Sequence, residues 1–424
     1  MRNTCFIAVA IMVPALAQTA RQVTVADCTL ESNREEFLTR QARARRNLYE
    51  TTMRVGRSAG RGGGETVYAA EIPIRNFVDE AIFGKLVASK VPSAKLSGDE
   101  EFLRRLHLDL TGTIPSPEEV REFLASDSPS KRDDVIDRLL YTPAFRDRWT
   151  MWLMDLLQNV AFPANFDRQY RARNAFQDWG VRVIDAQKSL RDVAIEAITA
   201  TGNTFDSDSA GTNWPINGKT PMGPIQDTYD TMLNKNATTF LGLSHYDCLL
   251  CHNGRGHLEL VSLWGSTATR LEAQQMAAFF ARLNMPQRAN QDPSAFYYRS
   301  FDVSDRLTGN YDLNTNFGNR PDRTPYSVNR FLTPVYRVTG ATPAGDNWRR
   351  AFAENMVEDP LFAINLANRL WKELFGLALA DPVDGLDPAR LDPASPPPEP
   401  WALQASHPEL LLRLAGELKN QDYS

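Results

Sequence analysis

The sequence is poor in the side chains that most often bind metals or act as nucleophiles: its 424 residues include only four cysteines and five histidines. It contains no uninterrupted run of about 18 apolar residues, the length that a membrane-spanning helix needs, so no transmembrane segment is predicted in the mature chain. Lys and Arg (47) do not outnumber Asp and Glu (52), and the net charge is −5. This balance gives no basic surface for nucleic acid, and no nucleic-acid partner is predicted.

The N-terminus has the features of a secretory signal peptide. Arg2 precedes an apolar stretch at residues 5–16, and small residues at Ala15 and Ala17 suit cleavage by signal peptidase. We therefore expect residues 1–17 to be the signal peptide and the mature chain to begin at Gln18. The sequence predicts a periplasmic or extracellular protein.

Cleavage would leave three cysteines, Cys28, Cys248 and Cys251. An odd number argues against a framework of disulfides in an exported chain and leaves Cys28 as a thiol or an intermolecular partner. The run Cys248-Leu-Leu-Cys251-His252 has the spacing of a covalent attachment site for c-type haem. In such sites the two thiols add across the haem vinyl groups and the histidine ligates the iron. We predict covalent haem c, anchored by Cys248 and Cys251, with His252 as the proximal iron ligand.

Two other chemistries remain open for this cluster. The two cysteines could form a small-loop disulfide. They could also bind zinc together with His252 and either His245 or His257, because zinc accepts mixed sulfur and imidazole ligands. The histidine directly after the second cysteine favours haem, since that residue defines the haem motif.

The motif does not fix the iron ligand on the opposite haem face. His245 lies three residues before the motif, and His257 follows His252 by five residues. Met276, in a predicted helix, could supply a thioether, as could Met222 and Met232 upstream, although such side chains more often fill gaps in a core. We keep His245, His257 and Met276 as the candidate distal ligands.

Apolar residues spaced three or four apart predict a mainly α fold. Helices are expected at residues 230–243 and 269–283, on either side of the motif, and at residues 131–140. Ser97 and Ser116 each precede a glutamate by three residues, which is the spacing of a capping box at the start of a helix.

The rest of the chain divides at segments of unusual composition. Gly and Arg are frequent between residues 54 and 64, and residues 290–347 are rich in Asn, Asp, Gly and Pro, with one extended candidate at residues 331–338. After the signal peptide we predict four segments: an N-terminal extension with a Gly/Arg-rich linker (18–69), a helical cytochrome-type domain with the haem motif (70–285), a loop-rich connector with little strand (286–347), and the N-terminal part of a second helical domain (348–424).

Several segments resemble one known family. Residues 104–115, 137–143, 240–243 and 277–280, taken with the haem motif, are similar to the planctomycete cytochrome-associated domain of unknown function. Residues 367–376, 381–384 and 406–411 are similar to the companion domain of unknown function that usually follows it. The resemblance covers about residues 70–424 and implies export, a helical architecture and haem. It also implies that the companion domain is incomplete here, because in relatives that domain continues through further helices.

One departure from the family lies beside the motif. Many relatives have Asp-His-Pro directly after the haem histidine, whereas this chain has Asn253, Gly254, Arg255 and Gly256 before His257. A role of the relatives' second histidine therefore does not carry over to His257.

Two classes of function follow. The first is an exported c-type haem protein that performs electron transfer or haem-dependent redox chemistry with a redox partner protein in the cell envelope. No catalytic acid or base stands out, so the sequence does not decide whether the protein is an enzyme. The alternative is a non-redox module that binds polysaccharide or another envelope protein and whose Cys/His cluster is a structural zinc or disulfide site.

Overall fold

The fold is mainly helical, as predicted, in a computed structural model that describes residues 46, 50, 66–67, 72–160, 169–220, 222–288 and 300–424. The predicted signal peptide and Cys28 lie outside the described residues, as do most of the N-terminal extension and residues 289–299 of the connector. No helix among the described residues is long and apolar enough to span a membrane.

The helices fall into three groups along the chain. The first group is α1 (Phe77–Ala88), α2 (Asp99–Thr111), α3 (Pro117–Ala125), α4 (Lys131–Leu139), α5 (Pro143–Leu156), α6 (Gln169–Asp185) and α7 (Leu190–Thr199). The second is α8 (Asn213–Ile216), α9 (Ile225–Asn236), α10 (Tyr246–Leu249), α11 (Leu263–Thr267) and α12 (Arg270–Ala277). The third is α13 (Trp348–Glu358), α14 (Pro360–Phe375) and α15 (Pro408–Asn420).

Strands are short and serve mainly to connect helices. They are β1 (Thr66–Val67), β2 (Ser93–Ala94), β3 (Gly202–Asn203), β4 (Leu283–Asn284), β5 (Gln287–Arg288), β6 (Ser300–Asp305), β7 (Tyr311–Asp312) and β8 (Phe331–Leu332). β6 pairs antiparallel with β3, β4 and β5, while β1 pairs with β2 and β7 with β8. The extended candidate at 331–338 is therefore confirmed only for its first two residues. Pro334 cannot donate to a strand ladder, and a turn follows in which Gly340 N donates to Tyr336 O.

The predicted helices exist, but two of them end differently. The helix predicted at 230–243 begins earlier, as α9, and passes into a π-helical turn, Ala237–Leu241, that ends at Gly242. The helix predicted at 269–283 is α12 followed by a 3-10 turn, Ala278–Phe280. The helix predicted at 131–140 is α4, which ends one residue earlier.

The two predicted capping boxes had opposite outcomes. At α3, Ser116 Oγ accepts from Glu119 N, and Glu119 Oε2 accepts from Ser116 N, so this box is confirmed. At α2 the prediction was wrong, because Gly98 is the N-cap and no side chain caps that end. A helix that starts one residue later than expected places Ser97 outside the cap position.

One large hydrophobic core joins α5, α6 and α7 of the first group to the second and third groups of helices. It runs from Leu153 in α5 to Tyr423 after α15. The 3-10 turn after α12 packs on α13, where the ring centroid of Phe352 lies 5.8 Å from that of Phe279 and 4.9 Å from that of Phe280. A smaller core is formed by residues of α2, α3 and α4: Leu103, Phe123, Val135 and Leu139.

Candidate functional site

The Cys248-Leu-Leu-Cys251-His252 motif occupies a short helical turn that is held by the C-terminal part of the chain. Gly242 has φ +70°, and a Cβ there would lie 2.8 Å from Val383 O, so a glycine is needed at this reversal. The segment then runs beside residues 384–386: Ser244 N donates to Asp384 O at 2.9 Å, and Leu386 N donates to Gly242 O at 2.9 Å. These bonds fix the start of α10, which carries Cys248.

The two cysteines lie on one face of this turn. Cys248 N donates to His245 O at 3.1 Å, Cys251 N donates to Cys248 O at 3.0 Å, and His252 N donates to Cys248 O at 3.2 Å. Residues three apart on a helical turn are neighbours, so the thiols of Cys248 and Cys251 project to the same side. Both are half-buried, and both are thiols, not a disulfide.

His252 is buried, with 6% of its surface exposed. Its Nδ1 lies 2.8 Å from Asn253 O. A carbonyl oxygen only accepts hydrogen bonds, so Nδ1 is the donor in this contact. A histidine oriented in this way through Nδ1 has the tautomer that ligates a metal through Nε2.

Arg320 covers the second cysteine. Its Nη1 lies 3.4 Å from Cys251 Sγ and donates to Asp247 O at 3.0 Å, and its Nη2 pairs with Asp247 Oδ1 at 2.7 Å. Burial raises the pKa of the Cys251 thiol, and the neighbouring guanidinium of Arg320 acts in the opposite direction. Arg320 thus shields this thiol from solvent.

The loop that carries Arg320 is anchored by a buried ion-pair network. Arg323 Nη2 donates to Asp227 Oδ1 at 2.6 Å and to Asp230 Oδ2 at 2.7 Å, and Arg323 Nε donates to the Tyr311 hydroxyl at 3.0 Å. Asp227 and Asp230 belong to α9. The network therefore connects the loop to the helix that precedes the motif.

Of the three candidate distal ligands, the structure brings one into contact with His252. The ring centroids of His252 and His257 are 4.0 Å apart, and the rings are tilted by 36°. Two rings at this separation are in direct contact, so no haem fits between them. His257 therefore packs directly against the ring of His252.

The other two candidates, His245 and Met276, contact other parts of the structure. His245 is buried beside Gly385, its Nδ1 has no hydrogen-bond partner among the described residues, and burial lowers its pKa. Met276 is 1% exposed, and its Sδ accepts a hydrogen bond from Arg337 N at 3.2 Å. Within the described ranges, no group of three or more His, Cys, Asp and Glu side chains has the arrangement of a metal site.

Sequence reasoning missed Arg320 and Arg323. Both lie about 70 residues from the motif in a segment that was expected to be an irregular connector. Arginines are frequent in this chain, and nothing in the sequence marks these two as neighbours of the motif. Only the tertiary fold identifies them.

The comparisons give one match. A family model described as PSCyt2, protein of unknown function (DUF1549), matches residues 77–291, which are just over half of the chain and include Cys248, Cys251 and His252. Neither the curated proteins nor the solved structures give a significant match. Because the family model covers this much of it, the chain belongs to the PSCyt2 (DUF1549) family of proteins of unknown function.

Proposed function

We propose that this protein is an exported c-type haem protein that transfers electrons in the cell envelope. The observation that carries the proposal is the geometry of the motif: two thiols lie on one face of a single turn, and the buried ring of His252, directly after the second cysteine, is oriented by the contact of its Nδ1 with Asn253 O. The function implies a redox partner protein in the same compartment. Export rests on the N-terminal sequence features, which lie outside the described residues.

The donor set fits haem c. Cys248 and Cys251 would hold the group through thioether bonds, and His252 Nε2 would ligate the iron. Asn253 O keeps the proton on His252 Nδ1, which orients the ring and strengthens the nitrogen as a ligand. When bound, a haem iron accepts and returns one electron.

Access to the thiols sets a condition on this chemistry. Arg320 and Asp247 lie over Cys251, and the loop that carries Arg320 is anchored by Arg323. Haem can reach the Cys251 thiol freely only before this loop has packed over it. We therefore expect attachment to precede the final packing of the loop.

The test is covalent haem in the intact protein. The full chain would be produced with its own N-terminus in a bacterium that carries a cytochrome c maturation system, and haem would be stained after denaturing electrophoresis. We expect a stained band for the unchanged protein. A band of equal protein amount that does not stain would overturn the proposal.

Matched variants assign the result to the motif. Cys248→Ala combined with Cys251→Ala should abolish the stain, while Cys28→Ser, which changes the third cysteine expected in the mature chain, should leave it unchanged. Immunoblotting of the same gel separates loss of haem from loss of protein. Equal staining of the double variant would show that haem is held elsewhere.

One observation favours the alternative of a non-redox envelope module. Arg320 is bonded to Cys251, and His257 packs on His252, so the cluster is already part of a packed structure. That function, with polysaccharide or an envelope protein as partner, predicts a chain without covalent haem. Purified protein would then contain either one zinc per chain, lost in Cys251→Ala, or a Cys248–Cys251 disulfide detectable by mass spectrometry.

A further inference from the structure

A cavity of about 450 Å³ lies on the other side of the motif helix. Tyr246, Trp264 and Met276 line it from the family segment, and Leu361 and Leu412 line it from the C-terminal helices. The rings of Tyr246 and Trp264 meet edge to face at 5.5 Å. Its volume lies within the range of small-molecule sites, and its position between two segments of a chain is where such sites commonly occur.

The cavity is distinct from the thiol face. Successive residues of a helix are rotated by about 100°, so Cys248 points about 200° away from Tyr246 around α10. In agreement, Tyr246 packs on Trp264, whereas Cys251 contacts Arg320. Binding in this cavity is therefore independent of haem at the motif.

The cavity wall contains one arginine, Arg337, whose guanidinium is not fully hydrogen-bonded within the described residues. Its guanidinium carbon lies 4.8 Å from the ring centroid of Trp264, and its Nε is 3.4 Å from Glu272 Oε1. This ion pair lacks hydrogen-bond geometry, and no described residue accepts a hydrogen bond from the guanidinium; its Nε is fully enclosed, so only the two Nη atoms are left to donate to a ligand. The side chain is 22% exposed.

Arg323 and Arg349, the two arginines that are fully buried among the described residues, are bonded differently. Arg323 donates to Asp227, Asp230, Tyr311 and Thr315. Arg349 donates to Asp305 and to the carbonyls of residues 198–200. Their donors are satisfied within the protein, as is usual for buried polar groups. Arg282 Nε also lacks a partner, but Arg282 Nη1 donates to Asp346 O and to Asp346 Oδ1. Arg337 instead has donor capacity left beside a largely apolar cavity.

The charges around Arg337 limit which hydrogen-bond acceptors a ligand can present to it. Glu272 already pairs with it, and the cavity wall also contains Asp359 and Asp392. Both oxygens of Asp359 accept hydrogen bonds, from Leu361 N and from the Tyr336 hydroxyl. The surroundings have no excess of positive charge, so a carboxylate ligand would meet repulsion that an uncharged acceptor would not.

We propose that this cavity binds an uncharged, mainly apolar small molecule that presents a carbonyl oxygen to Arg337. Tyr246, Trp264 and the leucines supply the apolar contact, and the guanidinium supplies the hydrogen bond that orients the molecule. A planar aromatic ketone is the simplest molecule with these properties.

Three probes of nearly equal shape test the proposal by calorimetric titration of the full-length protein. 2-Acetylnaphthalene has the carbonyl, 2-ethylnaphthalene lacks it, and 2-naphthoate replaces it with an anion. We expect one site for 2-acetylnaphthalene, with an affinity about tenfold or more above that of either other probe. A hydrogen bond to a charged group strengthens binding by about this factor. Absence of binding, equal binding of 2-ethylnaphthalene, or tighter binding of 2-naphthoate would each overturn it.

Variants locate the site. Arg337→Met should reduce the affinity for 2-acetylnaphthalene to that for 2-ethylnaphthalene. Arg282→Met is the matched control, because Arg282 also stacks on a tryptophan, Trp348 at 4.1 Å, and pairs with Asp346, but does not line the cavity. It should bind the ketone as the unchanged protein does. Unchanged affinity in Arg337→Met, measured on folded protein, contradicts the proposal.

A second variant tests the cavity independently, in case Arg337→Met does not fold. Leu412 is half-buried in the cavity wall, so Leu412→Trp fills the space without removing a hydrogen bond. We expect it to abolish binding of both 2-acetylnaphthalene and 2-ethylnaphthalene while thermal unfolding stays cooperative. Normal binding in this variant would place the ligand outside the cavity.

Discussion

Single residues decide how firmly the loop beside the motif is held, and Arg323 is the clearest case. Its side chain is fully buried, as is Asp230, and that of Asp227 is 2% exposed. Two carboxylates on one helix and one guanidinium on a loop therefore meet in the interior. Removing one partner of a buried ion pair leaves an uncompensated charge, which costs far more than breaking a surface pair.

We accordingly expect Arg323→Met to lower the free energy of unfolding by about 3–5 kcal/mol. The measurement is urea denaturation followed by far-UV circular dichroism. Arg330→Met is the control, because Arg330 pairs with Asp312 in the same loop but is 52% exposed, and its urea midpoint should remain close to that of the unchanged protein. Equal shifts in the two variants would show that the buried network does not anchor the loop.

The motif could be identified from sequence because its residues are contiguous. Cys248, Cys251 and His252 lie within one helical turn, so local spacing places them on one side without knowledge of the fold. Arg320, Arg337 and Asp359 come from distant segments, and their positions depend on packing that no local pattern encodes. The assignment of haem to the motif stays a prediction.

Among the elements, the helices were predicted well where local signals were complete and less well where tertiary contacts intervened. α3 has Ser116, Pro117 and Glu119 in the right order and begins as expected. α9 was expected to run to residue 243, but a π turn and Gly242 end it earlier, where the chain meets residues 383–386. That contact comes from the far end of the sequence and could not be anticipated locally.

The two serines that precede helices give a test at this scale. Ser116→Ala removes a side-chain cap from α3 and should lower the free energy of unfolding by about 1 kcal/mol. Ser97→Ala should leave stability nearly unchanged, because only its carbonyl is used, as acceptor for Arg132 Nη2 at 2.8 Å. Urea denaturation gives the two values, and amide hydrogen exchange over residues 116–125 localises the effect. Equal losses in both variants would contradict the caps as described.

For the whole molecule, the central feature is that the family segment and the C-terminal helices share one core. The family model ends at residue 291, yet α13 packs on the turn after α12, and the rings of Phe240 and Phe362 lie 6.4 Å apart. The cavity beside Arg337 also lies between the two segments. The helices after residue 347 thus complete both the core and the proposed ligand site.

A chain that ends at residue 347 should therefore fail to fold cooperatively. It would expose Phe279 and Phe280, which are fully buried against Phe352 in the full-length protein. We expect a broad thermal transition and strong binding of an apolar dye, measured by circular dichroism and fluorescence. Phe352→Ala in the full-length chain provides a graded form of the same change and should cost about 3–5 kcal/mol, because a large buried side chain is lost from a packed core. If the shortened chain unfolds as sharply as the full-length protein and Phe352→Ala costs little, the family segment has a core of its own and the shared core does not stabilise it.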